Sequence, residues 1–197
     1  KSKRTDTIDK IIDALFQIQG GYALTILTNE KLIGIRDPFG IRPLVIGKLA
    51  NSYVLASETC AFDIIGAKYI RDVNNGEIVV ISNKGLEIIK PFPKIKARPC
   101  IFEYIYFSRP DSLINNISVY EYRKRFGSEL AKESNVNADL IVPVPDSGVP
   151  AAIGYSEEVK KNVELGIIRN HYVGRTFIEP TQQIRSFGVK LKHNVNK

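Results

Sequence analysis

Between Tyr22 and Phe92 the chain changes direction every few residues. The segments YALTILT, KLIGIRD, RPLVIG, YVLASE, EIVVIS and LEIIKPF are short and apolar or alternating, and NEK, DPFG, ANS, NNG and NKG lie among them. Links that brief, rich in Asn, Gly, Asp and Pro, are turn chemistry. Strands joined by them pair most easily in the antiparallel sense, because a parallel pair needs a long crossover. Ahead of this meander, Ile8, Ile11, Ile12, Leu15 and Ile18 repeat at the spacing of one helix face. Thr5 to Thr7 offer caps for that helix, and Gly20-Gly21 stop it. CAFDIIG reads as one helical turn set into the meander. Residues 1–97 are therefore expected to form a helix packed on an antiparallel sheet.

At PFPKIKARP three prolines and several basic residues interrupt the pattern, as a crossing between domains does. Beyond it the rhythm lengthens. CIFEYIYF reads as a strand, and Val119, Tyr122, Phe126 and Leu130 mark a helix. ADLIVPVP is again strand-like, GVPAAIGYSEEVKK helical and VELGIIR strand-like. Strands alternating with helices predict a parallel sheet with right-handed crossovers over residues 98–197.

Composition narrows the class. Apolar residues make up 44% and charged residues 25% of the 197, the balance of a water-soluble globular protein. No apolar run is long enough to span a bilayer, and the opening KSKRTDTIDK is unlike a secretion signal. These features predict a cytoplasmic setting and no membrane partner. Cys60 and Cys100 are far apart and form no C-x-x-C pair, so neither a disulfide framework nor a zinc site is expected. The formal net charge is +7, and from Arg169 onward six cations face one acid, Glu179. Such a segment suits an anionic partner, or is simply a solvated basic surface.

The stretch ADLIVPVPDSGVPAAIGY places Asp146-Ser147-Gly148 at the carboxyl end of a strand, where open parallel sheets bind ligands. Ser147 has three readings: nucleophile, ligand neighbour or helix cap. A hydrolase elbow needs G-x-S-x-G, and the glycine two places before Ser147 is missing. Only His171 and His193 are on hand as bases. Asp146 or Ser147 is instead suited to cap the following helix, whose first N–H groups also favour an anion.

The motifs DPFGIRPLVIG, YVLASETCAFD, CIFEYIYFSRPDS, VPVPDSGVPAAIGY and RNHYVGRTFI, in this order, resemble successive signatures of the glutamine phosphoribosylpyrophosphate amidotransferases. The resemblance implies a two-domain enzyme at the first step of purine synthesis. A glutaminase with an N-terminal nucleophile releases ammonia. A phosphoribosyltransferase then uses it to displace pyrophosphate from phosphoribosylpyrophosphate (PRPP), giving phosphoribosylamine. On this resemblance, residues 1–97 are the later part of the glutaminase and 98–197 the early part of the transferase. CIFEYIYFSRPDS joins them. The family's nucleophilic cysteine stands at a mature amino terminus, whereas this chain opens with Lys1, and its acidic PRPP loop would follow Lys197. The resemblance thus implies a middle slice that hydrolyses no glutamine alone, drawn from an enzyme that is a homo-oligomer and binds PRPP and glutamine. A nucleic-acid partner is not expected.

Carried over residue by residue, the resemblance puts Ser147 at a magnesium–PRPP site. It puts Arg169, Tyr172, Arg175 and Lys192 in a loop that closes over PRPP, with the polar, basic stretch 182–194 as its mobile lid. Cys100 stands where one branch of the family has a ligand of a four-iron, four-sulfur cluster. Four thiolates normally hold such a cluster, so a packed thiol is the simpler reading here. Cys60 also reads as a packed thiol. The competing view is a stand-alone protein that binds phosphate ligands or nucleic acid through its basic segment.

Overall fold

A computed structural model describes residues 2–134 and 136–197. The chain divides into two compact units, Lys1–Ser118 and Val119–Lys197.

The first unit opens with α1 (Thr7–Leu15), capped by the Asp6 carboxylate, which accepts the N–H groups of Ile8 and Asp9. The helix stops three residues before Ile18. Strands β1 (Ala23–Leu27), β2 (Leu32–Arg36), β3 (Val45–Leu49) and β4 (Ser52–Ala56) follow, then α2 (Cys60–Ile65). Gly66, in the left-handed region at φ 71°, ends α2, as a residue without a Cβ does most easily. β5 (Lys68–Asp72), β6 (Ile78–Ser82) and β7 (Gly85–Ile89) complete the meander. All pairing is antiparallel, but in two sheets rather than one: β1-β2-β6-β7 and β4-β3-β5. β5 was not apparent among the apolar runs, because KYIRD carries charge at three of its five positions.

The alternation of side chains sorts the layers. Ile33, Ile35, Ile78 and Val80 meet Ile8 and Leu15 of α1. The opposite face of β6 turns Val79 toward Leu44 and Ile46 of the second sheet. That sheet's far side carries Val45 against Phe62 of α2. The order is helix, sheet, sheet, helix, and β2 and β6 are buried on both faces. Gly47 fits this stack by lacking a side chain, since a Cβ there would sit 3.0 Å from the Phe62 ring.

CIFEYIYF forms a π-helical turn, Glu103–Phe107, and not a strand. The Ser108 N–H donates to the Glu103 carbonyl at 3.1 Å, and the Ser108 hydroxyl donates to the Glu103 carboxylate at 3.1 Å. Glutamate inside an apolar run therefore closes a wide turn on itself. A short hairpin follows, β8 (Leu113–Ile114) and β9 (Ile117–Ser118), turning on Asn115 and Asn116, both at positive φ. Residues 98–118 belong to the first unit and are tied to its earlier part. The Arg98 N–H donates to the Phe39 carbonyl, and the Arg109 N–H donates to the Glu58 carboxylate.

The second unit begins with α3 (Val119–Glu133) against α4 (Val149–Val159). The apolar spacing located α3 and its first buried residue, Val119, but the buried stripe then departs from Tyr122, Phe126 and Leu130. Val119, Arg123, Gly127 and Ala131 are buried, while Phe126 and Leu130 are exposed. Two glycines decide this. A Cβ on Gly127 would lie 1.8 Å from the Ala151 carbonyl oxygen, and one on Gly154 1.9 Å from that of Lys124. The helices touch backbone to backbone. Among the described residues, the expected parallel sheet is present as one parallel bridge, Ile141 to Val163. VELGIIR gives β10 (Ile167–Arg169), which pairs antiparallel with β11 (His193–Val195). The stretch taken for a lid carries α5 (Gln182–Lys192).

Gly127→Val should cost the second unit about 3 kcal/mol, the upper range for forcing volume into a packed contact. Hydrogen exchange of α3 and α4 amides reads this directly, and Arg125→Ala on the exposed side should leave the same amides nearly unchanged.

Candidate functional site

The chain enters the candidate site from Ile141, whose N–H donates to the Asn162 carbonyl at 2.8 Å. After Val144 it turns through 145–148, with the Gly148 N–H donating back to the Val144 carbonyl, and α4 starts at Val149. Neither Asp146 nor Ser147 caps α4, since Gly148 occupies that place and no side-chain cap bond forms. Pro150 in the first turn has no N–H to satisfy, which lowers the demand for a cap. The Asp146 carboxylate instead accepts a bond from Arg169 Nη1. Ser147 beside it is exposed.

β10 ends at Arg169, directly opposite His193 of β11. The Asn170 N–H donates to the Lys192 carbonyl at 2.7 Å, and Lys192 Nζ donates to the Gly174 carbonyl at 3.1 Å. Loop 170–175 is thereby closed onto the end of α5. Thr181 caps this helix through the Ile184 N–H, and Thr176 lies buried under Gly188. Tyr172 is fully exposed and Arg175 is exposed. Asp146, Ser147 and Arg169 thus converge across more than twenty residues of sequence. Lys192 joins the loop that carries Tyr172 and Arg175, and both of those side chains face solvent.

The first unit holds a charged joint that sequence reasoning missed. Arg42 Nη1 meets the Glu103 carboxylate at 2.7 Å, and its guanidinium carbon lies 5.1 Å from the Phe107 ring centre. One arginine grips both ends of the π-helical turn. Burial pushes the Glu103 carboxyl above its ordinary value, while Arg42, the Ser108 hydroxyl and Arg36 pull it down and Glu58 adds to the rise. The signal available in sequence was a lone glutamate inside an apolar aromatic run.

A glutamine amidotransferase domain family matches residues 4–63. Amidophosphoribosyltransferases match far more: that of Rhizobium etli is 54% identical over the whole chain, and that of Bacillus subtilis 48% identical over 93% of it. The solved glutamine PRPP amidotransferase of B. subtilis, complexed with ADP and GMP, superposes with a TM-score of 0.90 at 46% identity over 99% of the chain. The chain belongs to the amidophosphoribosyltransferase family.

The chain spans about two fifths of the length of the amidophosphoribosyltransferases it matches, 41% of the R. etli protein and 39% of the B. subtilis one. A chloroplastic relative from Glycine max, 50% identical over 97% of the chain, shows that the family is not confined to bacteria. Among the described residues no helix is long and apolar enough to cross a membrane.

Among the described residues no three His, Cys, Asp or Glu side chains come together as a metal site. Ser147 offers one hydroxyl, and its carboxylate neighbour Asp146 is engaged by Arg169. These residues alone do not make a magnesium site, which wants about six oxygens in octahedral array. Cys100 is half-buried beside Pro99 and Glu103, its N–H on the Ile41 carbonyl, and Cys60 is a separate buried thiol beside Glu58. One thiol does not fit a cluster that takes four.

A raised folded pKa means that the native state holds the Glu103 proton longer than the unfolded chain does. Its stabilising share is complete at low pH and is lost as pH rises through the folded value. Urea titrations should therefore show the native chain gaining stability relative to Glu103→Gln as pH falls from 7 toward 4.5, and a loss over that span would contradict the burial argument.

Proposed function

We propose that this chain serves a glutamine-dependent amidotransferase that converts PRPP and glutamine to phosphoribosylamine, pyrophosphate and glutamate. In this reading residues 1–97 belong to its glutaminase part and 98–197 to its transferase part. The joining segment 98–118 packs on the first of these. The observation that carries the reading is similarity along the whole chain, at about half identity, to proteins named for this activity.

The second unit supplies chemistry suited to a phosphorylated substrate. Arg169, Arg175 and Lys192 place three basic side chains around loop 170–175 and the end of α5, and Tyr172 adds an exposed phenol. Cations aimed at a departing pyrophosphate stabilise the charge that builds on it. Ser147 lies next to Asp146 at the start of α4, where N–H groups favour an anion. In the complete enzyme, Ser147 would offer one hydroxyl to a magnesium ion whose other ligands are not among these residues, and such an ion would supply positive charge for a pyrophosphate. Cys100 would matter to an iron–sulfur cluster only with three further thiolates from outside this sequence. The setting proposed is the cytoplasm, or an equivalent aqueous compartment, with a homo-oligomeric enzyme as the working form.

Calorimetric titration of the chain with pyrophosphate at low salt tests the assignment. Arg175→Ala and Lys192→Ala should each weaken binding by up to about fivefold, the scale of an exposed charge contact. Arg4→Ala, on the other unit, should leave it unchanged, and Ser147→Ala should act only with magnesium present. Equal losses for Arg4 and Arg175 would mean a diffuse charge effect and no site.

A further inference from the structure

Among the described residues, the cations of the basic segment make one ion pair, between Arg169 and Asp146. Lys192 is on a neutral carbonyl and Arg175 faces solvent. Arg169 is also the least exposed partner in that pair, with 30% of its side chain accessible against 56% for Asp146. Its Nε is buried and has no hydrogen-bond partner, so one of its donors is satisfied by Asp146 and another is left unused. A planar guanidinium prefers to meet an oxyanion through two parallel N–H groups. A single bond to Asp146 with Nε idle is an unfinished match.

We propose that Asp146 is a positioning residue that occupies Arg169 in place of a phosphoryl group, so that the pair selects for multiply charged anions. The inference rests on the reading of the basic segment as a phosphate-binding site and deepens it. Asp146 brings one negative charge and is tethered at the turn before α4. A monoanion offers Arg169 nothing that Asp146 does not already supply. A pyrophosphate brings more charge and several oxygens, can take both guanidinium edges, and displaces the carboxylate. Asp146 then turns to solvent, where its exposure already places half of it. The carboxylate also keeps Arg169 extended toward the turn while no ligand is bound, which spares the ligand the ordering of a long side chain. Its two effects therefore oppose each other for pyrophosphate, and the selection proposed requires that the competition outweigh the ordering.

Pyrophosphate and acetate titrations of the 197-residue chain, at low ionic strength, separate the outcomes. Asp146→Asn should bind pyrophosphate up to about fivefold more tightly, the scale of one released exposed ion pair, and should gain measurable acetate affinity. Asp146→Glu, which restores the carboxylate, should return toward the parent in both. In an Arg169→Gln background, Asp146→Asn should produce no gain. Exchange protection of the α4 amides confirms that each variant is folded, and Asp146→Ser replaces Asp146→Asn if the turn is perturbed. A gain that persists without Arg169 would be a general charge effect and would overturn the proposal, as would no gain at all. Absence of pyrophosphate binding by the parent and every variant would overturn the phosphate reading itself, whereas binding indifferent to Asp146 would overturn this inference alone.

Discussion

A single buried carboxylate organises the first unit. Asp37 is fully buried and accepts four backbone N–H groups, from Tyr22, Phe39, Ile41 and Arg42, at 3.0 to 3.3 Å. Its own carbonyl takes the N–H groups of Gly40 and Gly76. Arg36 beside it, also buried, donates to the carbonyls of Arg42, Gly40 and Val73. Burial lowers the Arg36 guanidinium from its ordinary value, and Asp72 and Asp37 oppose that shift. Buried backbone groups need partners, and a loop in the protein interior has no sheet to provide them. The two side chains do so for DPFGIR. Gly40, at φ 64°, completes the turn, and any Cβ there would strike the Asn75 side chain.

Much else is attached to that loop. Tyr22 links it to the start of β1, and Gly76 and Val73 link it to the connection between the two sheets. On its outer side, Phe39 and Ile41 accept the N–H groups of Arg98 and Cys100, and Arg42 holds the π-helical turn. In the proposed enzyme this is where the glutaminase part passes into the joining segment. A rigid loop at that place gives the segment a fixed origin. Neighbouring ties act in the same sense: Glu77, almost wholly buried, pairs with Arg71 through both carboxylate oxygens, and Glu58 anchors Arg109 and Ser112.

The sequence was most legible where local chemistry decides structure. Asn-, Gly- and Asp-rich links announced the hairpins, and apolar spacing announced α1, α3 and α4. It was least legible where a distant partner overrides local preference. EYIYF has the composition of a strand, yet Glu103 finds Arg42 some sixty positions earlier and winds the segment into a π turn. Phe126 and Leu130 have the size of core residues, yet Gly127 and Gly154 allow a closer helix approach than any large side chain could. In the candidate site, the cations and Ser147 could be picked out from motifs. That Asp146 would spend its carboxylate on Arg169 could not, because nothing in VPDSGVP distinguishes a cap from an ion-pair partner.

Asp37 holds the first unit's central loop, and removing its carboxylate is the most direct measurement of that role. Chemical denaturation of Asp37→Ala, followed by exchange of the Phe39, Ile41 and Arg42 amides, should show a loss of at least about 3 kcal/mol, since leaving even one buried donor unpaired costs ~1–3 kcal/mol. Protection at those three amides should collapse together, while that of α3 and α4 stays as it was. A loss below about 1 kcal/mol, the size of one ordinary hydrogen bond, with the loop amides still protected would contradict the account.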